Sequence, residues 1–150
     1  MALKARIKDE MKAALLSGDR FVGETLRNLT AAILDEEVKL GKRDEGLSDE
    51  EIEKVVAREV KKRNESAKIY RDNNRPDLAE PEEREIEILQ AYLPKQLDET
   101  ELAAIIEAKI AELSVTGPQA MGQVIGAVKK QVSNAADGAA IARIVKQKLN

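Results

Sequence analysis

The stretch "ILQAYLPKQLDETELAAII", Ile88–Ile106, decides how the chain is organised. Apolar residues recur at helical spacing up to Pro94, and a proline disfavours helical backbone at the residue before it. Asp98 and Glu101 follow with the three-residue spacing of a capping box, which begins a new helix. The stretch therefore predicts one helical unit that ends before Pro94 and a second unit that begins there.

The helical pattern extends through both predicted units, residues 1–93 and 94–150. No alternating strand pattern competes with it. Capping residues mark the starts of later helices at Asp19, Ser48 with Glu51, Asp77 and Asp98. Pro81 is expected within about the first turn of the helix that Asp77 begins, where its missing N–H costs little. The predicted fold is all-α, with a larger N-terminal subdomain of about four helices and a small C-terminal three-helix subdomain.

The composition fits a folded, soluble protein. Of 150 residues, 43% are hydrophobic, 35% are charged and only 2% are aromatic, which predicts an aliphatic core. Nothing at the N-terminus resembles a signal peptide, and no apolar stretch approaches the roughly 20 residues that span a bilayer. We therefore expect a cytoplasmic protein without a membrane segment.

The residues that usually carry catalysis are scarce. Histidine and cysteine are absent, which removes the commonest general base, thiol nucleophiles and thiolate metal sites. No serine lies in a G-x-S-x-G elbow. The acidic loop around Asp44 and Glu45, continued by Asp49 to Glu51, lacks the D-x-D-x-D-G spacing of a calcium loop. We expect no catalytic residues, no metal site and no cofactor.

Charge is distributed unevenly along the chain. Residues 1–93 contain 18 cations and 22 anions, whereas residues 118–150 contain five cations and one anion. The cations of the second range are Lys129, Lys130, Arg143, Lys146 and Lys148. A solvated helix face is the ordinary explanation for such lysines. Their concentration in a segment with one acid also suits contact with RNA phosphates.

The stretch "MGQVIGAVKK", Met121–Lys130, contains two glycines. It is not a phosphate-binding P-loop, because Gly122 and Gly126 have three residues between them instead of four, and no strand precedes them. A glycine inside a helix costs about 1 kcal/mol relative to alanine, so a close neighbour is expected. The residues favour a packed helix as that neighbour over an RNA backbone approaching free N–H groups near the helix start.

Three stretches together resemble the YqeY family. They are "LRNLTAAILDEEVKLGK", "VKKRNESAKIYRDNNRPDLAEPEEREIEILQAYLPKQL" and "MGQVIGAVKKQVSNAADGAAIARIVKQKL". The resemblance covers nearly the whole chain in order, and its "YLPKQL" and "MGQVIGAVKK" blocks are specific. This family is related to the tail of the B subunit of the tRNA-dependent amidotransferase.

The resemblance implies an all-helical fold and a surface for tRNA. In the amidotransferase the related tail helps hold tRNA, and similar modules are fused to some glutaminyl-tRNA synthetases. The family's glycine-containing helix and its basic neighbours match Gly122, Gly126, Lys129 and Lys130 here. For the glycines, this makes RNA approach as well supported as helix packing. Ser133-Asn134 departs from the family, where many relatives have glycine followed by a cation, so one cation is missing.

The sequence thus predicts a non-catalytic tRNA-binding accessory module, acting in trans with tRNA-charging or transamidation machinery. Its partners would be tRNA and an aminoacyl-tRNA synthetase or amidotransferase. The first alternative is a protein-interaction adaptor that docks through its acidic N-terminal helices. The second is a component of a carbon–nitrogen ligase with glutamine as amido donor, a label that the parent enzyme would explain.

Overall fold

The computed structural model describes residues 2–150, and every regular element in that range is a helix. The expected all-α class is therefore confirmed. The chain divides between Leu93 and Pro94 into two compact units, called here the N-terminal and C-terminal units. Each unit has a hydrophobic core of its own.

Four helices form the described part of the N-terminal unit: α1 (Ala2–Ser17), α2 (Arg20–Lys39), α3 (Asp49–Asp72) and α4 (Pro76–Gln90). Local capping fixes the starts of α2 and α3. The Asp19 carboxylate accepts a hydrogen bond from the N–H of Val22 at 3.3 Å. The Ser48 hydroxyl oxygen accepts one from the N–H of Glu51 at 3.2 Å. Both starts follow the rule that a side-chain oxygen satisfies an unpaired N–H of the first turn.

Helix α4 starts two residues earlier than the sequence predicted, because its N-cap is Arg75 and not Asp77. It begins at Pro76, which occupies the first helical position, where the fixed φ of proline suits a helix and its missing N–H is no loss. Pro81 consequently lies in the second turn and not in the first, so that prediction is wrong. At this depth the missing N–H removes one bond from the helix ladder.

The core of the N-terminal unit is aliphatic, as its composition requires. Buried side chains from all four helices form it: Ile7, Leu26, Leu29, Ile33, Ile52, Val55, Val56, Val60, Ile86 and Leu89. The polar loop between α2 and α3 also contributes, because Leu47 at its end is fully buried. This loop is therefore anchored to the core by its last apolar residue.

One glycine of this unit does mark a close helix contact. Gly23 is buried in α2, and a Cβ atom added there would lie 2.5 Å from Cδ2 of Leu15 in α1. Real Cβ atoms do not approach other carbon atoms so closely. The absence of a side chain at Gly23 thus leaves the space that the Leu15 side chain of α1 occupies.

Tyr92 closes the N-terminal unit through a polar contact with α1. Its ring is buried, its hydroxyl donates a hydrogen bond to the Glu10 carboxylate, and the Arg6 guanidinium lies 4.8 Å from the ring centroid. The Tyr92 hydrogen bond is the main reason that the pKa of Glu10 lies below its ordinary value. Burial, and then the hydrogen bond to Glu10, raise the pKa of Tyr92. The chain's last residues before Pro94 are in this way joined to its first helix.

Three helices form the C-terminal unit: α5 (Glu99–Leu113), α6 (Met121–Val132) and α7 (Gly138–Leu149). The Asp98 carboxylate accepts from the N–H of Glu101 at 2.7 Å and so fixes the start of α5. The helical periodicity of the sequence predicts that α6 begins at about Gln119. The segment Pro118–Ala120 is instead a 3₁₀ turn, and α-helical geometry begins only at Met121.

The turn between α6 and α7 is short and conformationally demanding. Residues Ser133–Ala135 form a second 3₁₀ turn. Ser133 has φ of 49° and ψ of −125°, in the region of positive φ that glycine adopts readily and other residues rarely do. Its N–H donates to the Lys129 carbonyl, which holds the serine in that conformation.

Replacing Tyr92 by phenylalanine should lower stability in a pH-dependent manner. Because the folded pKa of Glu10 is depressed, its contribution exists above the ordinary value of 4.5 and is lost as the pH falls through the folded pKa. Glu10 is about half exposed, so we expect a loss of only about 1 kcal/mol at pH 7, which shrinks below pH ~4. Urea unfolding at several pH values measures it.

Tyr70→Phe is the matched control for this experiment. Its hydroxyl makes no hydrogen bond within residues 2–150, so its removal should change little at any pH. A Tyr92→Phe loss that is the same at pH 3 and pH 7 would contradict the role given to Glu10.

Candidate nucleic-acid interface

Helix α6 buries one side and exposes the other. Val124, Val128 and Val132 recur every four residues and are buried in the core of the C-terminal unit. Gly122, Gly126 and Lys130 recur at the same spacing half a turn away, and all three are exposed. Together with Lys129, these residues are called here the α6 face.

The glycines of the α6 face do not pack against a neighbouring helix. A Cβ atom added at Gly122 or at Gly126 would meet no heavy atom within 4 Å. The helix-packing interpretation of these glycines is therefore wrong. The physical reason is the valine ridge, which turns the glycines away from the core.

The expected free N–H groups are largely used within the chain. The N–H of Met121 donates to the Pro118 carbonyl of the 3₁₀ turn. Gly126 lies inside α6, where each N–H bonds the carbonyl four residues back. What the two glycines offer is an absence of bulk: an approaching molecule can reach the helix backbone itself.

Lys129 and Lys130 form the last turn of α6, and both are exposed. Lys129 extends towards the first turn of α7. A Cβ atom added at Gly138 would lie 3.4 Å from Cε of Lys129 and 3.5 Å from its Nζ. At these distances an added Cβ would make only ordinary van der Waals contact, so Gly138 lies beside the Lys129 side chain, a proximity that the sequence did not predict. The five-residue connection between α6 and α7 was the available signal, since it forces these two turns together.

The remaining predicted cations are not all available. Nη1 of Arg143 lies 2.6 Å from the Glu99 carboxylate, and Nζ of Lys148 lies 2.5 Å from the Glu107 carboxylate. Both carboxylates belong to α5. The structure therefore places Arg143 and Lys148 in ion pairs with α5.

Lys146 is exposed in the last turn of α7. It lies eight residues beyond Gly138, about 12 Å along the helix. Within residues 2–150, none of Lys129, Lys130 and Lys146 forms an ion pair. Of the five cations that the sequence singled out, these three lysines therefore have no ion-pair partner within residues 2–150.

Other kinds of site find little support. Within the described part of the chain, no group of three or more Asp and Glu residues is arranged to hold a metal ion. In the acidic loop region, Glu51 forms an ion pair with Lys42, with 2.6 Å between Oε1 of Glu51 and Nζ of Lys42. No helix in residues 2–150 is long and apolar enough to cross a membrane.

The fold and the α6 face define a class: a two-unit helical protein with an exposed basic surface. Residues 4–149 match the family described as Yqey-like protein. The chain belongs to this family, as the resemblance predicted. The family description names no catalytic activity.

Several curated relatives are fungal proteins named "Altered inheritance of mitochondria protein 41, mitochondrial". The Lachancea thermotolerans protein is 30% identical over 116 residues, which cover 76% of this chain and 61% of the relative. The Eremothecium gossypii protein is 34% identical over 115 residues, covering 75% and 61%. The Clavispora lusitaniae protein is 33% identical over 101 residues, covering 65% and 57%. The chain thus spans about three-fifths of the length of these relatives.

These names correct one expectation. The sequence predicted a cytoplasmic protein, whereas the relatives are named as mitochondrial proteins. That prediction rested on the lack of a signal-peptide pattern and of a long apolar stretch, which are poor guides to compartment. A cytoplasmic location is therefore withdrawn.

Replacing the exposed glycines by alanine should stabilise the C-terminal unit. Since an added Cβ meets nothing, only the helix propensity changes, and Gly126→Ala should raise the free energy of unfolding by up to about 1 kcal/mol. Gly122→Ala should raise the free energy of unfolding by less, because Gly122 lies in the first turn of the helix. Gly23→Ala is the control, because its Cβ would meet Leu15. Urea unfolding that shows a loss at Gly126 would restore the packing interpretation.

Proposed function

We propose that this chain is a non-catalytic tRNA-binding accessory module that contacts RNA through the α6 face. The observation that carries the proposal is the combination at one helix surface of two exposed glycines, with open space where side chains would be, and two exposed lysines without ion-pair partners within residues 2–150. An unpaired lysine loses no internal partner when it binds a phosphate. The glycines allow a sugar–phosphate backbone to come close to the helix.

The chemistry of this surface suits the backbone and shape of a folded RNA. The C-terminal unit contains no aromatic residue, so single-strand recognition by base stacking has no side chains to rely on. Double-helical RNA presents phosphates and 2′-hydroxyl groups across a wide, shallow minor groove. Lys129 and Lys130 would contact phosphates, with Lys146 as a further cation on α7.

The family supports this proposal through its relation to the tail of the tRNA-dependent amidotransferase. That tail is attached to a catalytic subunit, whereas the residues here offer no catalytic constellation. The module would therefore act in trans, beside an aminoacyl-tRNA synthetase or an amidotransferase. A glutamine-dependent carbon–nitrogen ligase reaction is not proposed as an activity of the chain itself. Glutamine-dependent amide formation by the purified chain alone would overturn that statement.

The adaptor alternative receives less support from the geometry. Many acidic side chains of the N-terminal unit are engaged by cations of the same unit, such as Glu37 with Lys4 at 2.6 Å and Glu85 with Arg63 at 2.6 Å. Because cations of the same unit already neutralise these carboxylates, they attract a cationic partner only weakly. Docking through the acidic helices stays a prediction that a pull-down after nuclease treatment can test.

Reversing the charge of the α6 face should abolish most RNA binding. We expect the unaltered protein to bind folded tRNA, with an affinity that falls steeply as salt rises from about 50 to about 200 mM. Lys129→Glu with Lys130→Glu should weaken binding at least tenfold and should reduce the salt slope by about 0.9 for each phosphate that the protein no longer neutralises. Filter binding or fluorescence anisotropy measures both quantities.

Lys8→Glu with Lys12→Glu is the matched control. These two lysines are exposed on α1, and their reversal changes the net charge by the same amount. If the control weakens tRNA binding as much as the α6 variant, the effect is one of overall charge and the assignment of the face is wrong. Absence of tRNA binding at low salt would defeat the proposal itself.

A further inference from the structure

Helix α5 presents two carboxylates to two cations of α7. The pairs are Glu99 with Arg143 at 2.6 Å and Glu107 with Lys148 at 2.5 Å. Their side chains are exposed to the extent of 65% and 51% in the first pair, and 58% and 37% in the second. Because both pairs are open to solvent, an anion from outside can compete for either cation.

The pairing is selective among the acids of α5. Glu101 lies in the same turn as Glu99, and no ion pair within the described residues involves its side chain. Glu112 binds Lys109 of its own helix at 3.0 Å. Among the acids of α5, only Glu99 and Glu107 reach across to α7 within residues 2–150. These two carboxylates therefore reduce the number of cations that α7 can offer.

The charge of the whole C-terminal unit reflects this arrangement. It has seven cations and six anions, a net charge of +1, although residues 118–150 alone carry five cations and one anion. A polyanion that binds by charge alone is therefore attracted only slightly. A ligand that fits the α6 face still meets Lys129 and Lys130, which form no ion pair within residues 2–150.

We propose that Glu99 and Glu107 are specificity-determining residues that compete with RNA phosphates for Arg143 and Lys148. The inference rests on the proposed function and concerns the control of that site. Each carboxylate belongs to the same unit as its cation, so an anion from outside must displace it before that anion can bind the cation. The carboxylates thus keep Arg143 and Lys148 occupied until a ligand places a phosphate next to these cations. A polyanion that does not fit the surface gains nothing from the two cations, and this is how the protein discriminates against it.

The size of the effect follows from the exposure of the pairs. Exposed ion pairs are weak, so displacing one costs at most about fivefold in affinity. Removing both carboxylates should therefore raise the affinity for a polyanion by about three- to tenfold. It should also steepen the salt dependence by up to about two further counterions, one for each released cation.

The experiment compares Glu99→Gln with Glu107→Gln against the unaltered protein. Dissociation constants for folded tRNA and for heparin, an unstructured polyanion, are measured at three salt concentrations, and circular dichroism verifies the helical fold. We expect both affinities to rise, that for heparin more than that for tRNA, with steeper salt slopes. The single variants Glu99→Gln and Glu101→Gln provide the control. Each removes one negative charge from the same turn of α5, but only Glu99→Gln should steepen the salt dependence of binding, since Glu101 pairs with no cation of α7 within residues 2–150.

The outcomes separate the two proposals. If the unaltered protein binds tRNA but the double variant keeps the same slopes and the same ratio of tRNA to heparin affinity, the competing role is wrong and the proposed function stands. If the unaltered protein binds no tRNA while the double variant gains heparin binding with a steeper salt slope, the two carboxylates compete with polyanions in general, whereas competition with RNA and the proposed function are both wrong. If neither protein binds either polyanion, both are wrong.

Discussion

The structure of the C-terminal unit depends on the packing of the valine ridge of α6. Val124, Val128 and Val132 are buried against α5 and α7, and burial of such side chains contributes about 1.5–3 kcal/mol each. A helix has only one rotational setting in which these three valines face inward. That setting also fixes what faces outward, so the exposure of Gly122, Gly126 and Lys130 is a direct consequence of core packing. No further interaction is needed to keep these three residues exposed.

Features set by local chemistry were predictable from the sequence. The caps at Asp19, Ser48 and Asp98 act over three residues, and each forms the expected hydrogen bond. The place of Pro81 was not predictable, since Pro76 and Asp77 both suit a helix start and the choice between them moves Pro81 from the first turn to the second. The glycines show the limit most clearly. Gly23 and Gly126 both lie within helices, yet one touches Leu15 and the other nothing, because the neighbour comes from elsewhere in the chain.

The candidate site was predicted as a set of residues but not as an arrangement. Along the sequence, Lys129, Arg143 and Lys148 look alike, since each lies on a helix poor in acids. Their surroundings differ because α5, which is acidic and distant in sequence, reaches only the two cations on α7 among these three. Pairing across helices depends on register, which spacing within one helix does not reveal. The proximity of Gly138 to the Lys129 side chain was missed for the same reason, since the two residues belong to different helices.

The backbone of Ser133 has a consequence for the motions of α7. A residue other than glycine at φ 49° and ψ −125° stores about 1–3 kcal/mol of strain, which the contacts of α6 with α7 must offset. That strain is released when α7 detaches, so it favours opening at this turn. An RNA held by Lys129 on α6 and Lys146 on α7 would oppose the opening. Slower amide exchange along α7 would then accompany occupancy, and the strained serine would link the ligand to the order of the last helix.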